Sequence, residues 1–207
     1  MIGTIQQTEF AAIDFESAGV RPGGTDVPVQ VGVGVMIGCS LRLDLGFQSL
    51  IASPEPVTWR ARKVHGIADA DLEGSPSMNE LWPKFKAVLG GRWVVAHGAS
   101  TEKRFLRAFP FHGFGPWVDT LKLSRAIDPD VSSHALGDLI GHHGLLVELS
   151  EAVPNLRWHD AWCDAVASLV LLRHFIRTLD LGGESPRILL RANDAPFHHR
   201  KAARRIL

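Results

Sequence analysis

"FAAIDFESAG", Phe10–Gly19, sets two carboxylates, Asp14 and Glu16, one residue apart inside an apolar run. Successive side chains in a strand alternate between faces, so Asp14 and Glu16 would lie side by side. Two like charges at that spacing repel unless a cation neutralises them or water screens them. Read alone, the pair fits either a cation site or the solvated end of a strand, since charged residues are mostly exposed.

Outward from this stretch, Thr8 to Asp14 reads as a strand. After the turn-rich "RPGGTDVP" (Arg21–Pro28), "VQVGVGVMIG" alternates Val29, Val31, Val33, Val35 and Ile37 with Gly or Met on the other face, a second strand signal. "LRLDLGFQSLI" alternates again and reads as a third. Short loops between the three suggest an antiparallel meander. The period then changes. "SMNELWPKFKAVLGG" has helical spacing with Gly90 and Gly91 as its stop and Pro83 near its middle, a position that weakens or kinks a helix. "RWVVAH" reads as a short buried strand. "STEKRFLRAF" opens a helix with Ser100 as its expected N-cap. "WVDTLKLSRAI" begins as a strand and turns helical, "SSHALGDLIGHHGL" is helical, and "HDAWCDAVASLVLLRHFIRTL" is the longest helix. Strands first, then strands alternating with helices, describe a mixed sheet with helices on its faces.

The 207 residues, 45% of them hydrophobic, suit one domain with a sizeable core. Expected boundaries are a domain over 1–181 and a basic tail over 182–207. From Arg187 onward six Lys/Arg face one acid, Asp194, so the formal net charge of zero hides an acidic body and a basic end. Such an end can contact phosphate backbones, or be a solvated terminus. No apolar run approaches the ~20 residues of a membrane span, so no membrane partner is expected. Two cysteines are too few for a zinc site or a disulfide framework. With no basic-then-apolar opening, a cytoplasmic location is expected.

Further acids accompany the first pair. Glu102 falls in the first turn after Ser100, where an acid also suits the helix dipole. On the longest helix, capped by Asp160, a wheel places Ala161, Asp164, Ala165, Ser168 and Leu172 on one face. That face is mostly small, so the helix could lie close to a sheet with Asp164 pointing inward. An inward Asp is costly unless paired, hydrogen-bonded or bound to a metal. Asp14, Glu16, Glu102 and Asp164 therefore could meet. Oxygen ligands of this kind suit Mg²⁺ or Mn²⁺ rather than zinc, and two such ions about 4 Å apart can drive in-line phosphodiester displacement. His159, just before the helix, could supply a general base or be an ordinary surface histidine.

These segments resemble the DEDDh 3′–5′ exonucleases, the DnaQ-like family. "AIDFESAG" matches its first motif, "AHGASTEKRFL" its second, and "HDAWCDA", with His159 and Asp164, its third. The intervening "ARKVHGIADADLEGSPSMNELWPKF", "VDTLKLSR" and "SHALGDLIGHHGL" match its style, and the likeness runs from about Phe10 to Thr178. The second motif departs at Gly98, Thr101 and Glu102, where the family has Asn, an aromatic residue and Asp.

The resemblance implies a ribonuclease-H-like fold, α/β, with a five-stranded mixed sheet flanked by helices. It implies that Asp14, Glu16, Glu102 and Asp164 hold two Mg²⁺ or Mn²⁺ ions while His159 activates water. The expected activity is release of nucleoside 5′-monophosphates from DNA or RNA 3′ ends. By the same likeness, Phe15, Ser17, Ala18, Gly19, His65, Gly66 and Ile67 lie against the terminal nucleotide. The implied partners are single-stranded or 3′-ended nucleic acid and a DNA polymerase. The alternative is a nucleic-acid-binding or polymerase-associated module with weak or no catalysis, because of the altered second motif.

Overall fold

The computed structural model describes residues 3–190. Its sheet runs β3 (Ser40–Leu41), β2 (Pro28–Ile37), β1 (Glu9–Ser17), β5 (Trp93–Ala96), β6 (Trp117–Asp119), with β4 (Phe47–Leu50) also paired to β2. β1 and β2 are antiparallel, with Asp14 opposite Gly32 and Glu16 opposite Gln30. β1, β5 and β6 are parallel, so their carboxyl ends share one edge, where ligand sites of such sheets collect.

The helices are α1 (Trp59–His65), α2 (Met78–Leu89), α3 (Ser100–Leu106), α4 (Thr120–Ile127), α5 (Leu136–His142), α6 (Leu146–Ala152) and α7 (Ala161–Thr178). They cover both faces. Ala11, Ile13 and Phe15 of β1 pack with Leu81, Phe85 and Leu89 of α2 and Phe105 of α3. Phe10 and Ala12 pack on the other side with Val166, Leu169 and Val170 of α7. By strand alternation Asp14 and Glu16 share the α7 side. β2 is buried on both faces, because its valines meet the α2 layer while its glycines let α7 settle on the opposite face. A Cβ at Gly32 would collide with the Ala161–Trp162 peptide.

Two expectations are corrected, and one helix is added. The third strand is two pieces, because the chain passes through a 3₁₀ turn, Leu43–Leu45, whose Leu43 packs against the α7-side core, before β4 resumes. Ser100 is the first residue of α3 and not its cap; Ala99 holds that position without a side-chain bond. Helix α6, between α5 and α7, adds "LVELSEA" to the expected helices. α2 runs through Pro83, started by a capping box of Ser77 and Glu80.

Residues 182–190 pack on the body. The amides of Ile5 and Gln6 donate to Glu184 O and Gly182 O at 2.8 and 3.0 Å, and Leu189 is buried. The rest of the expected basic tail, 191–207, lies outside the described residues. No helix among the described residues is long and apolar enough to cross a membrane.

Candidate active site

Three elements bring four acids to the carboxyl edge. β1 supplies Asp14 and Glu16. The first turn of α3 supplies Glu102, 4% exposed. The first turn of α7 supplies Asp164, and the loop before it His159. Ligand atoms of Glu16, His159 and Asp164 all lie within 4.8 Å of one another. Asp14 sits half-buried among them, close enough to Asp164, Glu102 and Glu16 to be perturbed by each.

The electrostatics follow from packing like charges out of water. Burial, then Asp164, Glu102, Glu16 and Asp160, push the Asp14 carboxyl well above the usual carboxylate range. Burial, then Asp164 and Asp160, push Glu16 up to about 8. Burial takes Asp164 to about 7, against the hydrogen bond from the His159 amide. Burial also takes Glu102 to about 7, opposed by a hydrogen bond from its own backbone and by Arg104, and aided by Asp119.

Two carboxylate oxygens, Glu102 Oε2 and Asp164 Oδ1, are buried with no hydrogen-bond partner. Such an atom costs on the order of 1–3 kcal/mol, more when charged. A set of carboxylates with unspent oxygens and one imidazole fits hard divalent cations. Asp14, Glu16, Glu102 and Asp164 are the residues that could hold them.

The backbone around the cluster is held by side chains. Asp119 caps α4, accepting from Leu121 and Lys122 at 3.1 and 3.3 Å. Its carboxylate also accepts from Gly98 and Ala99 at 3.1 and 3.3 Å. The loop that lacks the family's Asn is thus ordered from β6, and Gly98 takes a φ of +86° there, which glycine adopts without a Cβ penalty. Asp160 caps α7 through Trp162 and Cys163 at 3.1 and 3.2 Å, as its position in the sequence suggests. Arg157 Nη2 donates to His65 O at 2.7 Å, tying the loop before His159 to the end of α1.

A cleft of about 340 Å³ adjoins Glu16, lined by Ser17, Gly19 and Val20 on one side and Thr58, Val64 and His65 on the other. Of the residues expected against a nucleotide, Ser17, Gly19 and His65 line this cleft. Phe15 and Ile67 are buried in core clusters, as is Ala18. The amides of Ala18 and Gly19 are already committed, to Val27 O at 2.9 Å and Asp26 Oδ1 at 3.0 Å. Ile67 N donates to His65 Nδ1 at 3.0 Å; the ring's Nε2–H therefore faces Ser17 O at 3.1 Å. Gly66 ends α1 with φ +78°. Sequence reading missed Gln30, Asp119 and Arg157. Gln30 was detectable as the one amide in the valine–glycine strand, and Asp119 as an acid directly before a helical period.

The mixed sheet thus carries its acid cluster at the carboxyl edge, where ligand sites of such sheets collect. The chain belongs to the RNase T exonuclease family, whose model, described as "Exonuclease", matches residues 11–172. Among its relatives, exodeoxyribonuclease 10 of Escherichia coli is 26% identical over 166 residues, 80% of this chain and 68% of that protein. The PolC-type DNA polymerase III of Halalkalibacterium halodurans is 29% identical over 164 residues, 73% of this chain. The chain spans only 11% of that polymerase's length. The fold is shared with exonuclease X in complex with 5′-overhanging duplex DNA, at TM-score 0.71 and 24% identity, covering 87% of this chain and 98% of the other. It is also shared with the nuclease domain of 3′hExo, a DEDDh family member bound to rAMP, at TM-score 0.67 and 14% identity, covering 84% and 94%.

Proposed function

We propose that the chain is a metal-dependent 3′–5′ exonuclease releasing nucleoside 5′-monophosphates from nucleic acid ends. The observation that carries this reading is the meeting of Glu16, Asp164 and His159 within 4.8 Å, beside a half-buried Asp14 and the unspent oxygens of Glu102 and Asp164. Asp14, Glu16, Glu102 and Asp164 would hold two Mg²⁺ or Mn²⁺ ions. Bound there, such ions stabilise the attacking and leaving oxygens of an in-line displacement.

The chain's own groups do the rest. His159 is exposed at the mouth of the cluster, with an imidazole suited to take the proton of an attacking water. Its backbone N–H holds Asp164 Oδ2 at 3.2 Å, and Oδ1 stays buried without a hydrogen-bond partner. The cleft beside Glu16, walled by the exposed Val20 and Val64, receives the terminal nucleotide. The relatives support the substrate class: one solved neighbour is bound to DNA and another to rAMP. The likeness to a segment of PolC-type polymerases favours a second reading, in which the same activity serves a DNA polymerase partner.

The test is hydrolysis of the p-nitrophenyl ester of thymidine 5′-monophosphate with Mn²⁺. Turnover that EDTA abolishes supports the enzyme. Tight binding of single strands with no turnover would favour a binding module instead.

A further inference from the structure

We infer that Gln30 is a positioning residue, whose amide clamps the start of α7 to the sheet and so sets where Asp164 and His159 meet Asp14 and Glu16. Gln30 lies opposite Glu16 in the β1–β2 register and is 8% exposed. Both ends of its amide are used. Nε2 donates to Asp160 Oδ2 at 2.8 Å, and Oε1 accepts from the Ala161 amide at 3.1 Å. Asp160 meanwhile spends Oδ1 on the Trp162 and Cys163 amides.

One side chain thus ties the β2 neighbour of a cluster acid to the cap and first amide of the helix that carries another. His159 precedes Asp160 directly, so the clamp also bounds the loop that presents the imidazole. Gly32, two residues along on the same face, removes the Cβ that would hold α7 off. Close approach at Gly32 and a polar fastener at Gln30 together fix the helix in distance and in rotation. An aliphatic residue at 30 could preserve the packing but not the rotation.

The inference rests on the nuclease reading, and a polarity swap tests it. Gln30→Glu sets two acceptors face to face at Asp160. Asp160→Asn, which keeps a good capping side chain, sets two donors face to face. With both substitutions together, the new amide at position 160 donates to the new carboxylate at position 30. The other oxygen of that carboxylate still accepts from the Ala161 amide, and the net charge is unchanged. Each single substitution is expected to lower kcat on an oligonucleotide by on the order of tenfold, the scale of one buried unsatisfied polar group, with KM changed far less. The double variant should return to within about threefold of the native kcat on the same scale. A purely electrostatic role would move the two singles in opposite directions, since one adds a negative charge and the other removes one.

Gln30→Met, which removes both hydrogen bonds at similar volume, should speed hydrogen exchange of the Ala161 amide in metal-free protein, read by NMR. This readout also serves should a single variant unfold. Native kcat in the singles, losses that multiply in the double, or unchanged Ala161 exchange in Gln30→Met would each overturn the clamp. A native chain that neither cleaves nor binds Mn²⁺ would instead overturn the nuclease reading.

Discussion

The backbone N–H of His159 donates to Asp164 Oδ2 at 3.2 Å, so the helix acid orders the loop that presents the imidazole. His159 takes a φ of +59° to make this contact, a conformation that costs a non-glycine residue about 1 kcal/mol or more. Replacing His159 by Ala should lower kcat by about 10²–10⁴, the usual worth of a general base. Mn²⁺ affinity, measured by calorimetry, should change little. A variant whose pH–rate profile matches the native one would remove His159 from the mechanism.

Stability should fall as pH rises when no divalent ion is present. Glu16 titrates near 8 and Asp164 and Glu102 near 7 in the folded chain, against about 4 for unfolded carboxyls. Between those limits the folded state binds more protons than the unfolded one, so raising pH costs stability. Burial holds His65 and His97 below their ordinary value, which opposes this trend only below about pH 6.5. The clean window is therefore about pH 6.5 to 8. Melting without metal should shift downward across it, and the increase in Tm on adding Mn²⁺ should be larger at its upper end. A flat Tm in EDTA would contradict the crowded cluster.

Glu102 is buried, with Oε2 unpartnered, and fills the slot where the resembled family has Asp. Glu102→Gln should weaken Mn²⁺ binding and activity while raising the metal-free Tm, because a buried repulsive charge is removed at nearly constant shape. Unchanged affinity and activity would make Glu102 a helix-end charge alone.

Gly32→Ala tests the approach of α7. Its Cβ would meet the Ala161–Trp162 peptide, and overpacking of this kind costs about 1–3 kcal/mol. A lower denaturant midpoint with lower kcat is expected. Native activity would mean that the start of α7 can move without disturbing the cluster.

Where residues follow a period, the sequence was informative. The valine alternation of β2 and the small face Ala161–Ala165–Ser168 of α7 announced a strand and a close-packed helix, and D-x-E marked one face of β1. What period cannot carry was missed. The 3₁₀ turn at Leu43–Leu45 that breaks the third strand leaves no mark on the alternation. The α3 loop is ordered by Asp119, 20 residues downstream of Ala99. Phe15 and Ala18 adjoin a functional motif, yet packing claims their side chains. The clamp partners Gln30 and Asp160 are 130 residues apart, a pairing that only the fold creates.

The proposed reaction is metal-dependent removal of nucleotides from a 3′ end. Its most direct test is digestion of single-stranded DNA and RNA labelled at either the 3′ or the 5′ terminus, with Mg²⁺, Mn²⁺ or EDTA. The native chain should release a labelled mononucleotide at once from the 3′-labelled strand and shorten the 5′-labelled strand stepwise. EDTA and Asp14→Ala should abolish both. Release from the 5′ end first, internal cuts, or turnover that survives in EDTA would contradict it.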